Sequence, residues 1–75
     1  MTRYGVVLFH TTSAVMRAEK LLGKQGLMIK LIPTPRQFSS DCGISLRFDW
    51  DQREQVESAL NSAGVELDAI HALGI

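Results

Sequence analysis

The chain repeats itself at a spacing of 38 residues, and this repeat limits its possible folds more than any other feature. Aligning residues 5–32 with residues 43–70 brings six identical pairs together. These pairs are Gly5 with Gly43, Leu8 with Leu46, Glu19 with Glu57, Leu22 with Leu60, Gly26 with Gly64, and Ile32 with Ile70. Because the glycine pairs open and close equivalent stretches, we expect the two halves to fold alike.

The first half has the pattern of a strand, a helix and a second strand. These elements are predicted at residues 4–10, 12–25 and 27–32. The first strand is a continuous apolar run typical of a buried strand, and the helix has apolar residues three and four apart. Thr11, Thr12 or Ser13 can cap the helix start, and Gly26 suits the left-handed residue that ends a helix.

The second half repeats this pattern with clearer alternation. Residues 44–48 alternate between apolar and polar side chains, which predicts a strand buried on one face. Asp51 and Glu54 have the spacing of a capping box at a helix start, and Gly64 suits the helix end. Residues 65–73 are predicted as the last strand, but their pattern leaves open which face is buried.

Two such halves in tandem predict a single α+β domain spanning residues 1–75. The order β-α-β-β-α-β is that of the ferredoxin-like fold, with both helices on one face of a four-stranded antiparallel sheet. By analogy with that fold, the expected strand order is 4-1-3-2.

Composition excludes several classes of protein. Lys plus Arg and Asp plus Glu each number 8, so the formal charge is zero and no nucleic-acid or membrane partner is indicated. A single Cys cannot form an internal disulfide, and the N-terminal apolar run is too short for a signal peptide or a membrane span. We therefore expect a cytoplasmic protein in a reducing compartment, without a cofactor.

The connection between the second and third strands, residues 33–42, is twice the usual length of a hairpin loop. It contains both prolines, which stiffen its first half, and the only cysteine, Cys42, at its end. Ser39, Ser40 and Asp41 favour a turn, and Gly43 lets the chain bend after the thiol. We expect this loop to present Cys42 to water at the rim of the sheet, although a lone cysteine is often a small core residue.

Neither histidine is expected to serve Cys42 as a base. Strands one and three are expected to run parallel, which places His10 about 5–6 residues along the sheet from Cys42 and beyond hydrogen-bond reach. His71 would lie two strands away, or about 10 Å. The spacing of these three residues matches no zinc pattern. A thiol that accepts and hands over a group is therefore favoured over a hydrolytic nucleophile.

The sheet face away from the helices is expected to be apolar. If Val6 and Leu8 face the helices, Val7 and Phe9 lie on this open face. Strand two adds either Met28 and Ile32 or Ile29 and Leu31. An open apolar face favours a homodimer or docking to a larger protein.

Two stretches carry a resemblance to a known family. Residues 5–22, GVVLFHTTSAVMRAEKLL, and residues 31–48, LIPTPRQFSSDCGISLRF, resemble the selenium/sulfur carrier-like family, a small prokaryotic family. The family's Pro-Arg, its Ser pair and the Cys-Gly that enters a strand correspond to residues here. They are Pro35, Arg36, Ser39, Ser40, Cys42 and Gly43.

The resemblance implies a sulfur or selenium carrier rather than a turnover enzyme, with donor and acceptor proteins as partners. Cys42 would hold the atom as a persulfide or selenosulfide, while Arg36 and the backbone of Ser39 and Ser40 steady the charged adduct. Gly43 would leave room for the partner. The alternative is a small regulatory or adaptor module in which Cys42 is structural and the loop binds an anion or a protein.

Overall fold

The computed structural model describes residues 3–38 and 42–73. The elements are β1 (Tyr4–Leu8), α1 (Thr12–Lys24), β2 (Ile29–Pro33), β3 (Ile44–Asp49), a 3₁₀ turn (Trp50–Gln52), α2 (Arg53–Ala63) and β4 (Ala69–Leu73). This order confirms the ferredoxin-like β-α-β-β-α-β arrangement predicted from the repeat. Neither helix in the described ranges is long and apolar enough to cross a membrane.

The four strands form one sheet in the order β2-β3-β1-β4, which is the predicted order counted from the opposite edge. All neighbouring strands are antiparallel, including β1 and β3, where Tyr4 pairs with Asp49 and Val7 with Leu46. The parallel direction expected for β1 and β3 was therefore wrong. A crossover helix makes β2 parallel to β1, and the hairpin then reverses β3, so β3 must run against β1.

The ends of both helices follow the repeat, whereas their starts differ. Gly26 and Gly64 adopt φ angles of 76° and 69°, the left-handed conformation predicted for both. Thr11 caps α1, its side chain accepting a hydrogen bond from Ala14 N at 3.2 Å. The capping box expected at Asp51 is absent, because that residue lies in the 3₁₀ turn and Gln52 precedes α2 without a side-chain cap bond.

The core lies between the helices and one face of the sheet, and the facing predicted for β1 was wrong. Val7 and Phe9 are buried in the helix-side cluster, whereas Val6 and Leu8 point to the other face. From β2, Ile29 and Leu31 pack against the core, which settles the alternative left open by the sequence. Equivalent leucines of the repeat, Leu22 with Leu60 and Leu8 with Leu46, are all buried.

The second face of the sheet is covered along β1, although other positions on it are half-buried or exposed. Val6 and Leu8 are buried there, and the ring of Phe38 stacks on the imidazole of His71 with centroids 4.3 Å apart and planes 6° apart. His71 is the β4 partner of Val6, so the connection after β2 reaches across the sheet to its far edge strand. A homodimer through this face remains a prediction, but its contacts would form around Phe38 and His71.

Candidate functional site

Cys42 lies just before β3 with its side chain buried in the helix-side core. Only 4% of the residue is exposed, so the expectation of a thiol open to water was wrong. The reason is the alternation of side chains along a strand: Cys42 lies two residues before Ile44, so both side chains point to the same inward face. The hydrogen bond from Thr34 N to Gly43 O, at 3.0 Å, extends the β2–β3 pairing to this point.

The thiol lies against the first turn of α1. The sulfur of Cys42 is 3.8 Å from Thr12 Oγ1, so the loop thiol and the helix start form one site. In that first turn, the N–H groups of Ala14 and Val15 bond to Thr11. Within the described chain, the N–H groups of Thr12 and Ser13 make no hydrogen bond, as is normal at a helix start. The sulfur therefore lies near the positive end of the α1 helix dipole.

The backbone beside the thiol is fixed by Thr34, the residue between the two prolines. Its hydroxyl donates to the carbonyl oxygen of Cys42 at 2.9 Å and lies 2.7 Å from Ser45 Oγ. Ser45 is fully buried. Thr34 thus contacts Cys42 itself and two residues that follow it, Gly43 through its backbone and Ser45 through its side chain.

Of the other residues of the predicted site, Pro35 and Arg36 precede Cys42 on the connection and Gly43 directly follows it. Pro35 is half-buried and begins a turn closed by Phe38 N donating to the Pro35 carbonyl oxygen at 3.0 Å. Arg36 is exposed in this turn and forms no ion pair or hydrogen bond within the described residues. Gly43 is exposed, and a Cβ added there would meet no atom within 4 Å. Ser39 and Ser40, like Asp41, lie outside the described residues.

Both histidines face other groups. Because β1 and β3 are antiparallel, His10 lies at the same end of the sheet as Cys42, and the distance argument against it was wrong. Its Nε2 is nevertheless 4.0 Å from Asp68 Oδ1, and the imidazole of His71 stacks on Phe38. Among residues 3–38 and 42–73, no group of three Asp, Glu, His or Cys side chains is placed to hold a metal.

Sequence reasoning missed three residues of the site, namely Thr12, Thr34 and Ser45. Thr12 was placed at the helix start but not beside Cys42, although the antiparallel β1–β3 pairing places the residues after β1 beside those before β3. Thr34 and Ser45 carried a signal as well, because hydroxyl residues near the facing ends of a hairpin can bond across it.

The fold and the site together define a class of protein: a ferredoxin-like domain with one thiol held at a helix N-terminus. A family model described as "Putative Se/S carrier protein-like" matches residues 4–72. The chain therefore belongs to this family, which confirms the resemblance seen in the sequence. No curated protein and no solved structure matches it.

Proposed function

We propose that the protein carries sulfur or selenium between partner proteins, with Cys42 holding the atom as a persulfide or selenosulfide. The observation that carries the proposal is the position of the Cys42 sulfur, 3.8 Å from Thr12 at the start of α1. Membership in a family described as selenium/sulfur carrier-like supports the same chemistry.

The helix start offers what a charged adduct needs. A persulfide or selenosulfide ends in a negatively charged atom about one bond beyond the cysteine sulfur. Two unused N–H groups, those of Thr12 and Ser13, and the positive end of the helix dipole stabilise an anion at that place. The hydroxyl of Thr12 supplies a further donor beside the sulfur.

The transfer itself needs no oxidant or reductant. The Cys42 sulfur attacks the outer sulfur of a donor persulfide, the donor's S–S bond breaks, and a new S–S bond forms on Cys42. The proton of the Cys42 thiol passes to the departing donor thiolate, so charge and electrons balance. Delivery is the same exchange with an acceptor thiol, and the selenosulfide forms and transfers in the same way.

Two exposed residues of the predicted site, Arg36 and Gly43, suit contact with a donor or acceptor protein. Arg36 has no partner in the described chain and can pair with an acidic group of the other protein or with the adduct. The open space at Gly43 lets another backbone approach the chain next to Cys42. We assign Ser39 and Ser40 the role of steadying the adduct through their backbone, and place the carrier in the reducing cytoplasm.

The test is to incubate the protein with a cysteine desulfurase and cysteine and to measure its intact mass. We expect the wild type to gain one sulfur atom, reversibly by a reducing agent, while a Cys42→Ser variant gains none. A cysteine desulfurase supplied with selenocysteine, which holds the selenium as an enzyme-bound selenosulfide, tests the selenium arm by the same exchange. Failure of the wild type to load, while a known persulfide acceptor loads in parallel, would contradict the proposal.

A second candidate is a regulatory or adaptor module that binds a small anion or a protein through the β2–β3 connection. The low exposure of Cys42 favours it, because a buried thiol often serves packing alone. In that case Cys42→Ala keeps the binding and Arg36→Ala loses it. The carrier proposal requires instead that Cys42→Ala abolish sulfur loading.

A further inference from the structure

We propose that Thr34 is a positioning residue for the carrier thiol, holding Cys42 in its buried place against α1. On this view, the thiol reaches a partner only when the Thr34 hydroxyl releases the Cys42 carbonyl. This inference rests on the proposed function, because release of Cys42 matters only if the thiol transfers an atom. The positioning of Cys42 by Thr34 can nevertheless be tested without any sulfur transfer.

The direction of the hydrogen bonds follows from the chemistry of the groups. A hydroxyl has one hydrogen, and a carbonyl oxygen can only accept, so Thr34 Oγ1 donates to the Cys42 carbonyl at 2.9 Å. Ser45 Oγ, 2.7 Å away, must then donate to Thr34 Oγ1. The result is a chain of two bonds running from Ser45 through Thr34 to the backbone of Cys42, and such chains strengthen each other.

The place of Thr34 in the sequence makes it a rigid support. Pro33 and Pro35 flank it, and a residue before proline is restricted to extended backbone. Its own N–H bonds to the Gly43 carbonyl at 3.0 Å. Thr34 therefore holds the backbone of both Cys42 and Gly43, and the Cys42 side chain is directed inward toward Thr12.

Loss of the hydroxyl leaves the Cys42 carbonyl without this donor and the buried Ser45 hydroxyl without its acceptor. Each buried polar group that loses a partner destabilises the closed arrangement. The fraction of molecules in which Cys42 has swung away from α1 should then rise by about 5- to 30-fold. Valine has nearly the shape of threonine without the hydroxyl, and serine keeps the hydroxyl without the methyl group.

The experiment measures alkylation of Cys42 by iodoacetamide in wild type, Thr34→Val and Thr34→Ser. Cys42 is the only cysteine, so intact mass reports on it alone. Rates are taken at several urea concentrations below the unfolding transition, because reaction through local opening depends little on urea and reaction through global unfolding depends steeply on it. We expect the urea-independent rate to rise about 5-fold or more in Thr34→Val. In Thr34→Ser it should stay near the wild-type rate.

Two results would overturn the proposal: an unchanged urea-independent rate in Thr34→Val, or a rate in Thr34→Ser as high as in Thr34→Val. If Thr34→Val fails to fold, Ser45→Ala takes its place, since it removes the donor to Thr34 and should give a smaller rise of the same kind. The two proposals fail separately. If the wild type never loads sulfur, the carrier function is contradicted and the positioning result still stands. If the wild type loads sulfur but Thr34→Val does not change the alkylation rate, only the positioning role is contradicted.

Discussion

Gly5 and Gly43 occupy the same position in the two halves of the repeat, yet only Gly5 is closely packed by other side chains. A Cβ added at Gly5 would lie 2.5 Å from Phe48 Cζ and 2.6 Å from Trp50 Cε3. Both rings are stacked on each other, with centroids 6.0 Å apart, and Phe48 is almost fully buried. Neither ring can move aside without disturbing the core.

Gly5→Ala is therefore expected to destabilise the protein. Overpacking of a filled core costs about 1–3 kcal/mol. Alanine also restricts the unfolded chain, which offsets about 0.4–1 kcal/mol of that. The net loss of about 1–2 kcal/mol corresponds to a fall in Tm of about 5–15 °C for a domain of this size.

Gly43→Ala is the matched control, because its Cβ would meet no atom within 4 Å and its φ is not positive. We expect its stability to be unchanged or higher by up to about 1 kcal/mol. The assay is urea unfolding of both variants followed by Trp50 fluorescence, with Tm from circular dichroism as a second measure. If Gly5→Ala proved as stable as Gly43→Ala, the assignment of Gly5 to close packing would be refuted.

The other predictions concern the site, a helix end and the covered sheet face. Thr12→Val should shorten the lifetime of a persulfide on Cys42 about 2- to 10-fold, measured by intact mass over time, because one donor at the anion is lost. Gly64→Ala should lower the free energy of unfolding by about 1 kcal/mol in urea titration, since its φ of 69° strains other residues. Phe38→Ala should uncover Val6 and Leu8 and increase binding of a hydrophobic dye, while His71→Phe, which keeps a stacked ring, should not.

The repeat made the element order and strand order predictable, because each half needs a strand, a helix and a glycine-terminated turn. It did not fix the facing of β1. Val6, Val7, Leu8 and Phe9 are all apolar, so the run contains no polar residue to set its phase, and the structure buries both of its sides. The stacking of Phe38 on His71 at the second face is a tertiary contact that no local pattern encodes.

The burial of Cys42 could have been predicted from the sequence. The alternation of residues 44–48 was predicted correctly, and extending it by two residues places Cys42 on the inward face. The length and polarity of the preceding connection led to the opposite expectation. Strand phase prevailed because Thr34 N continues the hairpin pairing to Gly43, which keeps residue 42 in register with the strand.

A buried thiol is compatible with the proposed carrier if the cysteine is released in a controlled way. A persulfide exposed to water and free thiols would exchange with any of them, whereas one held against α1 is shielded from unselected partners. The cost of shielding is that each transfer must first open the end of β3. That opening breaks the hydrogen bonds of Thr34 and takes the Cys42 side chain out of the core cluster, but the β2–β3 pairing from Ile44 onward can stay formed, as in a local fluctuation. A partner that binds the exposed Arg36 turn and the open space at Gly43 would contact the chain close to Thr34 and Cys42 in sequence. Docking and release can then be coupled through the same short stretch of chain, because a partner that prefers the open form raises its population.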